Sequence, residues 1–239
     1  MPRHRSVRLG AMPRMPDRAP LLLRIAAGTV GGGDEVRLRD GSRLTIGRVT
    51  PDDAPVLADG FARLSEESRR LRFLTSKPTL SRAELRYLTE VDGHDHEALG
   101  AIDPQTGRGV GIARFVRDDA DPTRAEAAIT VADDWQRRGV GKLLLGRLSD
   151  RAREEGITHF TALVSVDNRG MRELVNRMGY RIRTTHVGGG TFEYEIELGP
   201  KGLATQLEEA LRAAAAGQLT PPRRLWEILR ALVPIHLGR

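Results

Sequence analysis

The feature that most constrains this chain is Gln136-Arg137-Arg138-Gly139-Val140-Gly141-Lys142, which separates a segment of strand character from a strongly periodic helix. Ala125 to Val131 reads as a strand, set off upstream by a loop bearing Pro122. After the turn, Val140, Leu143, Leu144, Leu148 and Ala152 recur at helical spacing until Gly156 ends the helix. A glycine-containing turn at a helix N-terminus offers unpaired backbone N–H groups and the positive end of the helix dipole. Its glycines let a diphosphate approach the main chain closely. Arg137, Arg138 and Lys142 add positive charge at the same place. Two other phosphate-binding patterns fail on these residues. Gln136 stands where a P-loop needs its first glycine and Leu143 where it needs Ser or Thr. Leu144 occupies the third glycine position of a dinucleotide-binding turn.

The rest of the chain reads as one domain with extensions, since 239 residues are short for two independent cores. Residues 1–34 have no sustained apolar period and end in Gly31-Gly32-Gly33, which predicts a flexible basic leader. That leader holds much of the excess behind the net charge of +6, in Arg3, Arg5, Arg8, Arg14, Arg18 and Arg24. Val36 to Arg39 and Leu44 to Val49 alternate around Asp40-Gly41 as a hairpin. Helices are expected after Thr50-Pro51, after Ser65 with its acidic successors, and after Ser81 with Glu84 in capping-box spacing. Strands follow at Ala98 to Ile102, Gly109 to Val116 and Ala125 to Val131. Beyond the periodic helix come a strand from Thr158 to Val166, a helix from Arg169 to Met178, and a hairpin across Gly188, Gly189 and Gly190. Leu203 to Ala215 and Leu225 to Val233 read as a C-terminal helical extension over residues 200–239.

This order of elements, with Gln136, Gly139 and Gly141, resembles the GNAT superfamily of acyltransferases, over roughly residues 36–198. The resemblance implies an α/β (α+β) fold, with a mixed, mostly antiparallel central sheet and flanking helices, in a domain spanning residues 35–199. It also implies acetyl-CoA as co-substrate. Main-chain groups of Ile129, Thr130 and Val131 would pair with pantetheine, and residues Gln136, Arg137, Arg138, Gly139, Val140, Gly141 and Lys142 would hold the pyrophosphate. Asn168 matches a family position whose side chain contacts the cofactor, and Met171 lies in the same matching segment. Leu64, Ser65, Glu67, Ser68, Arg72 and Phe73, with Ser81, Glu84, Thr89, Asp92 and His96, further resemble the bacterial protein lysine acetyltransferases of the Pat family. That likeness implies an exposed protein lysine as acceptor, acyl-CoA synthetases being recurrent targets.

An amine must lose a proton before it attacks a thioester, so the site needs a general base or a path to water. Glu126 is the leading candidate, on the strand that feeds the turn, where partial burial is expected to raise its pKa. The resemblance points to the same residue. His94 and His96, with Asp92, Asp95 and Glu97, form a second polar cluster that matches no metal-ligand spacing, so no metal is expected. Many GNAT enzymes carry a Tyr acid in the helix after the Asn, and Val175 occupies that place here. Two alternatives stay open: acetylation of a small amine, and a non-catalytic acyl-CoA sensor. The chain has no cysteine, which removes an acyl-enzyme on a thiol, and its 4% aromatic content disfavours nucleic-acid binding. Leu21-Leu22-Leu23 is too short for a membrane span, and the expected location is cytoplasmic.

Overall fold

A computed structural model describes residues 31–199. The chain divides into a unit ending at Leu198 and a second unit, Gly199–Arg239. The expected C-terminal helices and all but the last residues of the expected leader lie outside the described residues.

Eight strands form one sheet in the order β1-β2-β3-β4-β5-β6-β8-β7. They are β1 (Gly31–Arg37), β2 (Arg43–Arg48), β3 (His96–Ile102), β4 (Gly109–Arg117), β5 (Arg124–Val131), β6 (His159–Ser165), β7 (Arg181–Gly188) and β8 (Thr191–Glu197). Five helices flank them: α1 (Ala54–Arg63), α2 (Glu66–Phe73), α3 (Arg82–Thr89), α4 (Val140–Glu154) and α5 (Arg169–Met178). Every strand pair is antiparallel except β5–β6, as the expected mixed and mostly antiparallel architecture requires.

The first strand corrects the expected leader. It starts at Gly31 rather than Val36, with Gly31 opposite Arg48 and a bulge before Asp34. A Cβ on Gly33 would stand 2.8 Å from the Ile46 carbonyl oxygen. At Gly33, therefore, the missing side chain permits close strand approach rather than flexibility. The helix starts follow their predicted caps: Ser65 Oγ accepts from Ser68 N, and Ser81 with Glu84 forms a reciprocal capping box. Thr50 bonds Asp53 through both N and Oγ1, and the short 3-10 turn Pro51–Asp53 leads into α1.

Strand alternation builds the core on one sheet face. Leu44, Ile46, Leu99, Ala101, Ala113, Phe115, Ala125 and Ala127 are buried there with Val140, Leu144, Leu145 and Leu148 of α4. At about 1.5–3 kcal/mol per fully buried large apolar side chain, this layer is a major stabilising element. It fixes the strand that carries the site against the helix that begins at the glycine turn.

Candidate active site

The opening in the sheet is set by register. Along β4, β5 stays paired from Ala125 to Val131, but it meets β6 only at Arg124↔His159, Ala125↔Phe160 and Glu126↔Thr161. From Ala162 to Ser165, β6 pairs with β8 alone. The two parallel strands therefore part after Glu126, and among the described residues the β6-facing edge of Ala127 to Val131 has no neighbouring strand. Ile129 and Val131 pack on the α4 side, whereas Thr130 lines a cavity on the opposite face. One edge group is already engaged, since Gln136 Nε2 donates to the Val131 carbonyl at 3.2 Å.

The glycine turn sits at the carboxyl end of β5. Gly139 has φ +96°, and its missing Cβ would meet nothing within 4 Å, so the glycine serves backbone conformation and leaves the approach open. A Cβ on Gly141 would meet Leu174 at 3.4 Å and Val131 at 3.8 Å, ordinary contacts that admit a small residue and little more. The N–H groups of Val140, Gly141 and Lys142 lie in the first helical turn, where no intrahelical acceptor exists. Arg137 (φ 60°) and Lys142 are exposed. Arg138, expected at the pyrophosphate, is engaged by other groups. Its Nε donates to Asp40 at 2.7 Å, Nη2 donates to Ser42 Oγ, and the guanidinium lies 3.9 Å over the Trp135 ring. These contacts direct its charge to the β1–β2 turn. The Asp40 carboxyl is held at about 2 by the Ser42 backbone hydrogen bond and then by Arg138.

Helix α2 reaches both lips of the opening. Asp133, just after β5, accepts from Ser65 N at 2.8 Å, Ser65 Oγ at 3.0 Å and Ser68 Oγ at 2.6 Å. Burial pushes its carboxyl up, but the bonds from Ser68 and Ser65 outweigh this and leave it below the usual range. Arg70 stands 3.5 Å from Asp167, just after β6. Sequence reasoning did not find this bracing, because the partners are 65 to 97 residues apart. Asn168 follows on the β6 side, where its Oδ1 accepts from Met171 N at 3.0 Å and caps α5. Met171 packs against the core, and Val175 is fully buried within it. A hydroxyl acid is therefore absent from the Val175 position.

Glu126 also departs from expectation, because it is exposed rather than partly buried. Ala125 and Ala127 on either side turn into the α4 core, so alternation directs Glu126 to the other face, where the strands part. The register places Glu126, Val116 and His96 on one row and Ala128, Arg114 and Ala98 on the next. Arg114 is only 6% exposed. Its guanidinium lies 4.6 Å from the Tyr87 ring centroid. Sequence reasoning missed Arg114, although an arginine inside the apolar run Gly109 to Val116 was a usable signal.

The expected His and Asp cluster divides, with His94 and Asp95 3.8 Å apart at the margin and Glu97 on the other face. His94 contacts Glu155, and Asp95 accepts from Arg117 at 2.6 Å, both at the sheet margin. Glu97 turns into the α4 face, 0% exposed, and binds Arg48 at 2.8 Å and Arg151 at 3.3 Å. Asp92 spends one oxygen on the N–H groups of His94, Asp95 and His96, which offset burial and leave its carboxyl below the usual range. Only His96 shares the face of Glu126. Burial and then the Arg114 charge push its imidazole down to about 4 against the pull of Asp92, which keeps it neutral at physiological pH. Among the described residues, no group of three or more His, Cys, Asp or Glu side chains could hold a metal ion. No helix among them is long and apolar enough to cross a membrane.

Comparison with known proteins agrees with this geometry. The sequence profile of the acetyltransferase (GNAT) family matches residues 62–180. The acetyltransferase Pat of Mycolicibacterium smegmatis is 39% identical over 145 residues, which is 60% of this chain but 43% of that protein. The chain thus spans less than half of that relative. An acetyltransferase of Pseudomonas aeruginosa is 32% identical over 145 residues, 60% of this chain and 77% of that protein. The crystal structure of the GNAT domain of S. lividans PAT superposes with a TM-score of 0.64 at 30% identity, covering 69% of this chain and 96% of that domain. The chain therefore belongs to the GNAT family of acyl-CoA-dependent N-acetyltransferases.

Proposed function

We propose that this protein transfers the acetyl group of acetyl-CoA directly to the side-chain amine of a protein lysine, with Glu126 as the group that takes up the amine proton. The observation that carries the reading is the parting of β5 from β6 immediately after Glu126. It leaves a free strand edge between the proposed base and the glycine turn, at the carboxyl ends of two parallel strands, where open sheets bind ligands.

The residues suit acetyl-CoA. Ile129, Thr130 and Val131 supply an extended edge for the amide-bearing pantetheine arm. The N–H groups of Val140, Gly141 and Lys142 would hold the diphosphate beside the open Gly139, with Arg137 and Lys142 as exposed charges. Asn168 and Met171 border the opening from β6. Acetyl-CoA supplies the electrophilic thioester carbonyl. Glu126 accepts a proton from the lysine ammonium directly or through water, the amine nitrogen then forms its bond to the acetyl carbon, and the carbon–sulfur bond breaks. Val175 cannot donate a proton and the Tyr180 hydroxyl is committed to Ser149 Oγ at 2.9 Å, so the departing thiolate takes its proton from water or another group. We assign this chemistry to the unit that ends at Leu198, and a cytoplasmic setting suits a protein acceptor.

The likeness of the α2 to β3 segment to the Pat family supports a protein lysine over a small amine. The test is thiol release with an acyl-CoA synthetase, a lysine-peptide panel and a panel of free amines, alongside calorimetric titration with acetyl-CoA. Glu126→Gln should bind acetyl-CoA as the parent does and transfer about ten-fold or more slowly. Unchanged turnover would falsify the role of Glu126. Transfer to free amines alone would replace the protein acceptor by a small one, and binding without any transfer would favour a sensor.

A further inference from the structure

The face that carries Glu126 also holds two cations that the transfer reaction does not use. Arg114 is nine-tenths buried on β4 and lines a cavity of ≈ 100 Å³ between the sheet and α1 to α3. Its Nη2 has no hydrogen-bond partner among the described residues. Arg72 of α2, half-buried, lines the same cavity. Neither guanidinium lies within ion-pair distance of a carboxylate among the described residues. Burial and the charge of Arg114 push Arg72 down to about 10, and burial pushes Arg114 down too, against the opposing pull of Glu126 and Tyr87 on both, and the two guanidinium charges repel each other. The remaining lining is largely apolar, including Val56, Leu57, Phe61, Leu88 and Ile112.

A buried guanidinium with an unmet donor is costly to the fold unless something anionic completes it. The planar fork of arginine matches a carboxylate, and two such forks at one cavity wall define a place for it. We propose that Arg72 and Arg114 form a carboxylate-binding subsite that selects acceptors bearing an acidic group near the reacting amine. This inference rests on the acetyl-transfer reading for the amine and on the arginines for the acid. The side of the sheet decides for acceptor over donor: Arg114 stands with Glu126, whereas Ile129, Val131 and the start of α4 lie toward the other face. Register also sets the spacing. Arg114 is opposite Ala128, so Glu126 is its diagonal neighbour across the pair, roughly 7 Å away at the backbone. In an extended peptide, two residues along the chain span about the same distance on one face. For a protein acceptor, the favoured lysine therefore has Glu or Asp two positions before or after it.

The experiment uses the full chain with pairs of lysine peptides that differ only by Glu or Gln two residues from the lysine. Binding is measured by calorimetry on CoA-saturated protein, and transfer by thiol release with acetyl-CoA and with succinyl-CoA. The Glu peptides should bind and react about ten-fold better, the scale of one charge-assisted bond pair. Arg114→Met should abolish that preference while still binding acetyl-CoA. Should Arg114→Met fail to bind acetyl-CoA, Arg72→Met and the Glu–Gln comparison on the parent protein decide. Equal binding of both peptides to the parent, or a preference that survives both substitutions, overturns the subsite. An Arg114-dependent preference for succinyl-CoA over acetyl-CoA moves the carboxylate to the acyl group and overturns the acceptor assignment. Preferential binding of Glu peptides with no acetylation of any peptide leaves the subsite standing and refutes the protein-lysine reading instead.

Discussion

Replacing His96 by Phe should remove a specific loss of stability in mild acid. His96 Nε2 is buried without a partner, its ring stacks on Tyr87 with centroids 5.3 Å apart, and Arg114 and Asp92 are the charges that act on it. Burial first and Arg114 second lower its pKa from 6.5 to about 4, with Asp92 opposing. The folded protein therefore prefers the neutral ring, and the unfolded chain binds the extra proton first. Between pH 6.5 and 4 the unfolded state is stabilised by protonation, so His96 contributes stability that is fully present above its unfolded pKa and lost as pH falls toward the folded value. A displacement of that size corresponds to about 3 kcal/mol. Phe retains the stacking and cannot titrate. Urea unfolding of parent and His96→Phe at several pH values across this window gives the difference in unfolding free energy, from which the other titrating groups cancel. The parent should lose about 3 kcal/mol more than the variant. Parallel losses in the two proteins would refute the placement of a neutral imidazole beside Arg114.

Three further outcomes follow from the geometry. Gly139→Asp should weaken acetyl-CoA binding in calorimetry about ten-fold or more, because it strains a φ of +96° and sets a negative charge beside the proposed diphosphate. Arg138→Ala should leave that affinity close to the parent's, since Asp40, Ser42 and Trp135 already hold the side chain, whereas Arg137→Ala or Lys142→Ala should lower it. Glu97→Ala should cost about 1–3 kcal/mol in chemical denaturation by removing the buried carboxylate that pairs two partly exposed arginines, and a cost near zero would contradict that pairing.

Local signals carried most of the fold. Ser65, Ser81, Gly139 and Gly179 mark helix ends through side-chain or backbone chemistry that acts within four residues, and α2 to α5 begin or end at those points. The exceptions are cases where a distant partner decides. Gly31-Gly32-Gly33 looked like a linker, yet β2 recruits it as a strand, because backbone pairing needs no side chain. Arg138 looked like a phosphate ligand by its neighbours in sequence, and a hairpin 96 to 98 residues away claims it. His94, His96 and Glu97 looked like one cluster because they are adjacent in sequence. In β3 the adjacent His96 and Glu97 point to opposite faces, toward Arg114 and Arg48, while His94 lies in the loop before the strand and contacts Glu155.

The same period of two would let one strand serve both molecules of the proposed reaction. Along β5, Ala125, Ala127, Ile129 and Val131 bind the strand to α4, and the helix in turn begins at the glycine turn. Glu126, Ala128 and Thr130 are left for the face covered by α1 to α3, where Arg114 lies. Ala127 packs into the α4 core, and the small side chain of Ala128 leaves room on the opposite face near the point where β6 departs. Exposure of Glu126 suits the proton-accepting role we propose for it. A base that receives protons from successive amines must return each one to solvent, and a carboxylate at the mouth of the split can do so directly. Deep burial would raise its proton affinity at the expense of that exchange. The buried cations one row away show that this face does desolvate charge elsewhere, and it does so at the groups we assign to recognition rather than at the group we assign to proton transfer.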